Sequence, residues 1–144
     1  MIWFGGKVPA PERFAQLCAS NMHGHLGIAF AGCGEDWLRL RMPVDHRTRQ
    51  PFGRLHGGAS VTLAEAAGSM AGGLCVDPEQ WLAVGMEVNA NHIRPVDQGW
   101  VHATARPEAL GRTTQVWSIR VEDEGGRLVC IARLTNAVIA RDRT

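Results

Sequence analysis

The chain is short of the features that usually announce a function. Its four cysteines, Cys18, Cys33, Cys75 and Cys130, are scattered with no CxxC or other ligand spacing. That excludes zinc-ribbon and dithiol redox motifs and is the pattern of reduced, mostly buried thiols in a cytoplasmic protein. Its net charge is only +1, so nothing points to nucleic acid or an anionic membrane as a partner. No stretch is apolar for long enough to span a bilayer without a charge. The opening residues, MIWFGGKVPAPERF, lack the basic region and long apolar run of a signal peptide. There is no internal repeat and no low-complexity linker. The doublet His23-Gly24-His25 is the one metal-like motif, and HxH without further ligands reads as loop or cap. No metal or cofactor is expected.

What remains is an ordinary globular composition, 45% hydrophobic and 20% charged in 144 residues. That length suits one domain, 1–144, with a real core. Pro9 and Pro11 precede a short helical segment near 11–21. HGHLG then reads as loop. Residues 28–44 turn strand-like, and WLRLRM alternates with Leu38, Leu40 and Met42 on one face and Arg39 and Arg41 on the other. PVDHRTRQPFG is loop. Four strand-like runs follow Asp77-Pro78, near 82–92, 99–108, 113–122 and 127–140, with EDEGGR as a hairpin turn. The order is a short helix, two strands, one long helix and four strands. That predicts an α+β fold in which one long central helix is wrapped by a largely antiparallel sheet.

The long helix, within LHGGASVTLAEAAGSMAGGL, carries a single acid, Glu65. Thr62, Glu65 and Ser69 are spaced i, i+3 and i+7 and share one polar stripe. Gly58, Gly68, Gly72 and Gly73 each weaken a helix interior by roughly 1 kcal/mol, a cost tolerated where something must approach the backbone closely. A buried, unpaired carboxylate has its ionised form disfavoured, a cost commonly retained for function. The same spacing suits a Glu paired with an Arg at a subunit interface, and the stripe alone does not choose. Upstream, His56-Gly57-Gly58 opens the helix, where backbone N–H groups are unsatisfied and suit an oxyanion. Gln50 adds a side-chain amide donor. Amide, helix N-terminus and carboxylate together make a constellation for acyl transfer, with Glu65 attacking a carbonyl or activating water.

PVDHRTRQPFGRLHGGASVTLAEAAGSMAGG followed by VGMEVNANHIRP resembles the hotdog-fold acyl-CoA thioesterases. Within them it is most similar to the PaaI-like branch holding 4-hydroxybenzoyl-CoA, dihydroxynaphthoyl-CoA and enterobactin-proofreading thioesterases. The likeness runs from about Gly27 to Ile139. It implies a hotdog fold, with Glu65 as nucleophile or general base and the Gly57 N–H polarising the thioester carbonyl. Gln50 and His56 would assist at that oxygen or at the sulfur, and Ser69 would position water or the acyl group. Gly58, Thr62, Met70, Val84, Gly85, His92, Arg94 and Arg112 make the implied substrate-binding set. Ile93 follows His92 where some members have a second histidine, so no role falls to one here.

The resemblance further implies a homodimer or homotetramer (a dimer of dimers) acting on an acyl-CoA or acyl-carrier protein. Gln50 and His56-Gly57 would come from one chain and Glu65 from the other. Arg47, Arg49, Arg54, Arg94 and Arg112 are candidates to grip phosphates, Arg112 being the best placed to reach a neighbouring subunit's ligand. Trp100 and Trp117 read as packing residues. Small neighbours of Glu65, with Met70 and Met86 nearby, favour flat aryl acyl groups over long chains. The alternatives are a hotdog hydratase or dehydratase, which needs a carboxylate–His pair aimed at a carbon chain, and a non-catalytic acyl-CoA-binding protein.

Overall fold

A computed structural model describes residues 1–142; residues 143–144 of the expected 1–144 domain lie outside the described residues. The elements are α1 (Pro11–Cys18), α2 (Met22–His25), β1 (Ala29–Cys33), β2 (Leu38–Pro43), α3 (Gly57–Leu74), β3 (Trp81–His92), β4 (Trp100–Leu110), β5 (Thr114–Asp123) and β6 (Leu128–Ala140). They follow the order expected from the sequence, with two additions, a short 3-10 turn at Phe4–Gly6 and the helical turn α2. Residues 22–25, expected as loop, form a single helical turn because the Asn21 side chain accepts the His23 N–H at 3.1 Å.

The six strands make one sheet in the order β1-β2-β4-β5-β6-β3, and every neighbouring pair is antiparallel. The sheet wraps α3. Leu38, Leu40 and Met42 of β2 point inward and are fully buried. Arg39 and Arg41 point outward, where Arg39 donates to Thr104 Oγ1 at 2.8 Å and Arg41 lies over the Trp100 ring at 4.5 Å. Pro11 starts α1, and its Phe14 stacks on Phe30 of β1 with ring centroids 4.6 Å apart. Trp117 is buried in the core, as expected of a packing residue. The four cysteines are free; Cys18 and Cys130 are buried, Cys33 and Cys75 half-buried, and burial pushes the Cys75 thiol up to about 12.

Two features of the sequence set where α3 sits. The first is the pair Gly68 and Gly72, one turn apart. A Cβ on Gly68 would lie 2.6 Å from Leu134 Cδ2, and one on Gly72 would collide with the amides of Asn136 and Gln115. The helix therefore rides closer to β5 and β6 than any side chain at these positions would permit. The second is a bulge in β3, where pairing with β6 skips from Gly85 to Glu87. Before it, Ala83 and Gly85 face α3. After it, Val88, Ala90 and His92 do so, because the extra residue switches the strand's parity. Without the bulge, the two halves of β3 could not both face the helix.

Gly73 has open space where its Cβ would be. Gly73→Ala is therefore expected to raise stability by about 0.4–1 kcal/mol through unfolded-state entropy. Gly72→Ala, its neighbour, is expected to lower it by about 1–3 kcal/mol through overpacking. Denaturant unfolding of the two variants checks this, and equal effects would refute the close seating of α3.

Candidate active site

The loop between β2 and α3 is tied down at almost every residue. Thr48 Oγ1 donates to the Pro43 carbonyl at 2.7 Å and accepts the Asp45 N–H at 3.1 Å. Arg47 grips both oxygens of Asp45, at 3.1 and 2.7 Å. This guanidinium holds the Asp45 carboxyl at about 2, well below the usual range. Arg49 donates twice to the Asp97 carbonyl, at 3.1 and 2.8 Å. The tip then turns back on itself, with Arg49 bridged to Leu55 and Gly53 at φ +82°, a left-handed conformation suited to glycine. There the Gln50 side-chain oxygen accepts the Phe52 N–H. That bond fixes the amide's orientation and leaves the Gln50 Nε2 to donate elsewhere.

Gln50 faces the start of α3. The His56 N–H is held by the Thr48 carbonyl at 2.8 Å, so the loop's rigidity passes directly to the helix cap. His56 is the N-cap, its Nδ1 accepting the Gly58 N–H at 2.8 Å. This bond requires Nδ1 unprotonated and leaves Nε2 as the ring's outward nitrogen. The Ala59 and Ser60 N–H groups bond the His56 carbonyl at 2.9 and 3.2 Å. Of the first-turn donors, Gly57 N–H alone has no acceptor among the described residues. It opens on a cleft of about 370 Å³ lined by Gln50, Gly57, His92 and Arg94, with Ile93 and Val129 as apolar wall. His92 lies against Gly57 so closely that a Cβ there would be 2.8 Å from its Nε2. A free N–H at a helix N-terminus, an amide donor beside it and apolar walls form an anion-stabilising corner.

Glu65 lies elsewhere on the same helix. Its eight-residue separation from Gly57 corresponds to about 12 Å along the axis. The carboxylate is half-buried rather than buried as the sequence suggested, because it reaches past α3 onto the edge strand. A Cβ on Gly85 would lie 2.6 Å from Glu65 Oε1, so the absence of a side chain there makes the carboxylate's seat. It has no hydrogen-bond or ion-pair partner among the described residues, so the interface ion pair considered from sequence is not formed within the chain. Thr62 and Ser69 share its stripe, both half-buried; Thr62 Oγ1 is spent on the Gly58 carbonyl at 2.9 Å.

Thus the structure brings Gln50, Gly57, His92 and Arg94 into one cleft, with His56 and Gly58 at the helix cap beside it, and sets Glu65 with Gly85 apart. It does not bring Met70 to either. Met70 faces α1, in a pocket with Phe14 and Leu17, because five residues past Glu65 turns it to another side of the helix. Val84 alternates away from Gly85 onto the outer face of the sheet, where it is exposed. Arg112 lies in the turn between β4 and β5, at the end of the sheet away from the cleft and about 20–25 Å from it along β5. Arg47 is occupied by Asp45 and Arg49 by the Asp97 carbonyl. His23 and His25 sit on α2, and the described residues hold no cluster able to ligate a metal. No helix among them is long and apolar enough to cross a membrane. The sequence reading missed Gln115 and Asn136, both buried polar residues on the sheet's inner face. The signal was a polar residue at inward parity in an otherwise apolar strand.

A helix wrapped by an antiparallel sheet, with a free N–H in a cleft at its N-terminus and a carboxylate further along, is the arrangement of a hotdog thioester hydrolase. Residues 52–130 match the family model described as "Thioesterase superfamily". The chain is 54% identical to the 1,4-dihydroxy-2-naphthoyl-CoA hydrolase of Escherichia coli, covering 89% of this chain and 93% of that one. It is 50% identical to the proofreading thioesterase EntH of Cronobacter sakazakii, again over 89% and 93%. The crystal structure of a thioesterase from Haemophilus influenzae superposes with a TM-score of 0.92 at 50% identity, covering 97% of this chain and 96% of that one. The chain belongs to the thioesterase superfamily, among its hotdog-fold acyl-CoA thioesterases. It is a hydrolase.

The Asp45–Arg47 pair that anchors the loop gives a pH test. Because the folded pKa of Asp45 is depressed, its stabilisation is present above the unfolded value near 4 and is lost as pH falls toward about 2. Asp45→Asn is expected to lower stability at pH 7 by up to about 1 kcal/mol, the scale of a surface pair. Thermal midpoints of the two proteins are expected to converge between pH 4 and 2. A gap that persists at pH 2 would contradict the assignment.

Proposed function

We propose that the chain is a single-domain thioesterase that hydrolyses an aryl acyl-CoA, with its site built between two copies of the chain. The observation that carries this reading is the separation just described. An attacking group and the donors to the carbonyl oxygen must each lie near 3 Å from one reacting carbonyl. Glu65 and Gly57 of the same chain are about 12 Å apart along α3, so one chain does not supply both. β3 is one of the two edges of the sheet, with Leu82, Val84 and Met86 exposed along it, and an uncovered edge is a template for another strand. Two β3 strands paired antiparallel about a two-fold axis between Val88 and Asn89 would set Gly85 of one copy opposite His92 of the other. Glu65 would then meet the other copy's Gly57 and Gln50. Further pairing of such dimers into a tetramer accords with the family resemblance.

In this site the thioester oxygen takes hydrogen bonds from Gly57 N–H and Gln50 Nε2. Glu65 either removes a proton from the attacking water or attacks the carbonyl carbon itself. In the first case the tetrahedral centre collapses by breaking the C–S bond and the thiolate takes the proton from Glu65; in the second the same collapse leaves an anhydride on Glu65, which water cleaves to release the acid and regenerate the carboxylate, a proton of that water going to the thiolate. His56 holds the helix cap and Ser69, one turn beyond Glu65, positions water or the acyl group. Thr62, Gly58, Gly85 and His92 line the acyl side, and His92 is placed to hydrogen-bond a ring hydroxyl. Arg94 at the cleft, and Arg112 reaching from a neighbouring subunit, suit the phosphates of CoA. The name of the Escherichia coli relative, a 1,4-dihydroxy-2-naphthoyl-CoA hydrolase, supports an aryl-CoA substrate.

Glu65→Gln is expected to lose on the order of 10²-fold or more in kcat with binding preserved, and Gln50→Ala to lower kcat more than it raises KM. Co-refolding the two inactive chains tests the shared site. Random mixing should restore about a quarter of wild-type activity, because half the dimers are mixed and each carries one intact site of two. No recovery would place the whole site in one chain.

Substrate class is tested separately. With benzoyl-, hydroxybenzoyl- and long-chain acyl-CoA side by side, and the same acyl groups on carrier protein, the hydroxybenzoyl-CoA thioester should give the highest kcat/KM. A long-chain substrate ahead by about tenfold, some 1.4 kcal/mol of transition-state binding, would sink the aryl assignment.

A further inference from the structure

Three polar side chains are buried together under the second half of α3. Trp117 Nε1 donates to Gln115 Oε1 at 3.1 Å, and Gln115 Nε2 donates to the Gly72 carbonyl at 3.2 Å. Asn136 Nδ2 donates to the Gly68 carbonyl at 3.3 Å and to Gln115 Oε1 at 3.4 Å. The orientations follow from the tryptophan. An indole N–H only donates, so it fixes the Gln115 oxygen, and that oxygen in turn fixes the Asn136 amide. The chain of bonds leaves Asn136 Oδ1 buried with no partner among the described residues. A half-satisfied buried amide is worse for stability than an apolar residue of the same size. Its presence calls for a reason other than stability.

The reason lies in what Asn136 joins. It is paired directly with Gly85 across the β3–β6 ladder. Through Nδ2 it also holds the carbonyl of Gly68, three residues past Glu65 on the helix. Glu65 Oε1 rests against Gly85. Asn136 thus ties together the helix that carries the carboxylate and the strand residue on which the carboxylate sits. Fixing those two in register fixes the carboxylate. Apolar packing alone specifies this axial position poorly, since small residues at 68 and 72 slide past Leu134 and Ala83 with little resistance, whereas a hydrogen bond to one carbonyl does not slide.

We propose that Asn136 is a positioning residue for the reacting carboxylate, setting the axial place of α3 against the edge strand. This rests on the assignment of Glu65 as the attacking or proton-accepting group. Asn136→Leu removes both the tie and the orphaned oxygen, while Gln115 Oε1 keeps the Trp117 N–H. It is expected to melt within a few degrees of wild type or above it, and to lose kcat by about tenfold or more with KM within about twofold, as for misplacement of a reacting group. Asn136→Asp keeps the shape and, as a buried neutral carboxyl, one donor; it is expected to keep kcat within about threefold of wild type. It also carries the test if the leucine chain does not fold. A leucine variant that turns over like wild type, or an aspartate variant that folds yet is as slow as Glu65→Gln, overturns the proposal, as do losses that only track the folded fraction in both. Glu65→Gln run alongside separates the two levels: if it is active, the reading of Glu65 fails first. If it is inactive while Asn136→Leu is fast, only the positioning role fails.

Discussion

The close contact of α3 with the inner face of the sheet is the constraint on which the rest of the molecule depends. Gly68 and Gly72 leave no room for a side chain against Leu134, Asn136 and Gln115. At the other end Gly57 lies under His92, and between them Gly85 lies under Glu65. Each contact is a place where a backbone stands in for a side chain. Together they bring a helix of low intrinsic propensity into a position that packing, not propensity, maintains. The glycines that weaken α3 as an isolated helix are the residues that let it work in place.

The polar groups then divide along the helix axis. The N-terminal turn has all but one of its donors satisfied from within, by the His56 ring and the His56 carbonyl. The remaining Gly57 N–H is left for an outside acceptor at the positive end of the helix dipole. The loop that delivers Gln50 to the same corner is held by side-chain-to-backbone bonds from Thr48 and Arg49. Donors fixed in this way reorganise little when negative charge comes near them. The carboxylate end is arranged differently. Glu65 is held by shape, on a strand position without a side chain, and it spends no hydrogen bond on a permanent partner.

Element order and the Gly57 helix start with its free N–H were legible in the sequence because both are local. Alternation in WLRLRM, the isolated Glu in an apolar helix and the HGG before it each lie within one or two turns of chain. Where residues adjacent in sequence are set apart within the chain, the cause is a relation that a linear reading does not carry. Met70 looks like a neighbour of Glu65 in sequence and faces α1 instead, a matter of helical angle. Val84 looks like a neighbour of Gly85 and points to the other face, a matter of strand parity. The bulge at Gly85–Glu87 changes that parity within a single strand, and nothing in VGMEVNANH marks it. Asn136 was overlooked because its significance depends on Gly68 and Gly85, distant in sequence and joined only by the fold.

The position of β3 also shapes how the molecule comes into being. β3 spans residues 81–92, yet among the described residues its only partner in the sheet is β6, residues 128–140. During synthesis the strand bearing Gly85 and His92 waits unpaired while β4 and β5 are made, and it joins the sheet only when the last strand has emerged. A ladder closed this late between distant segments makes folding slow relative to a local hairpin. It also leaves an apolar edge exposed on a nearly complete chain, the kind of species that chaperones capture. The strand carrying Gly85 and His92 is thus the last to find its partner: a chain stopped before residue 128 has the Gly57 turn encoded but has no β6 to hold His92 beside it.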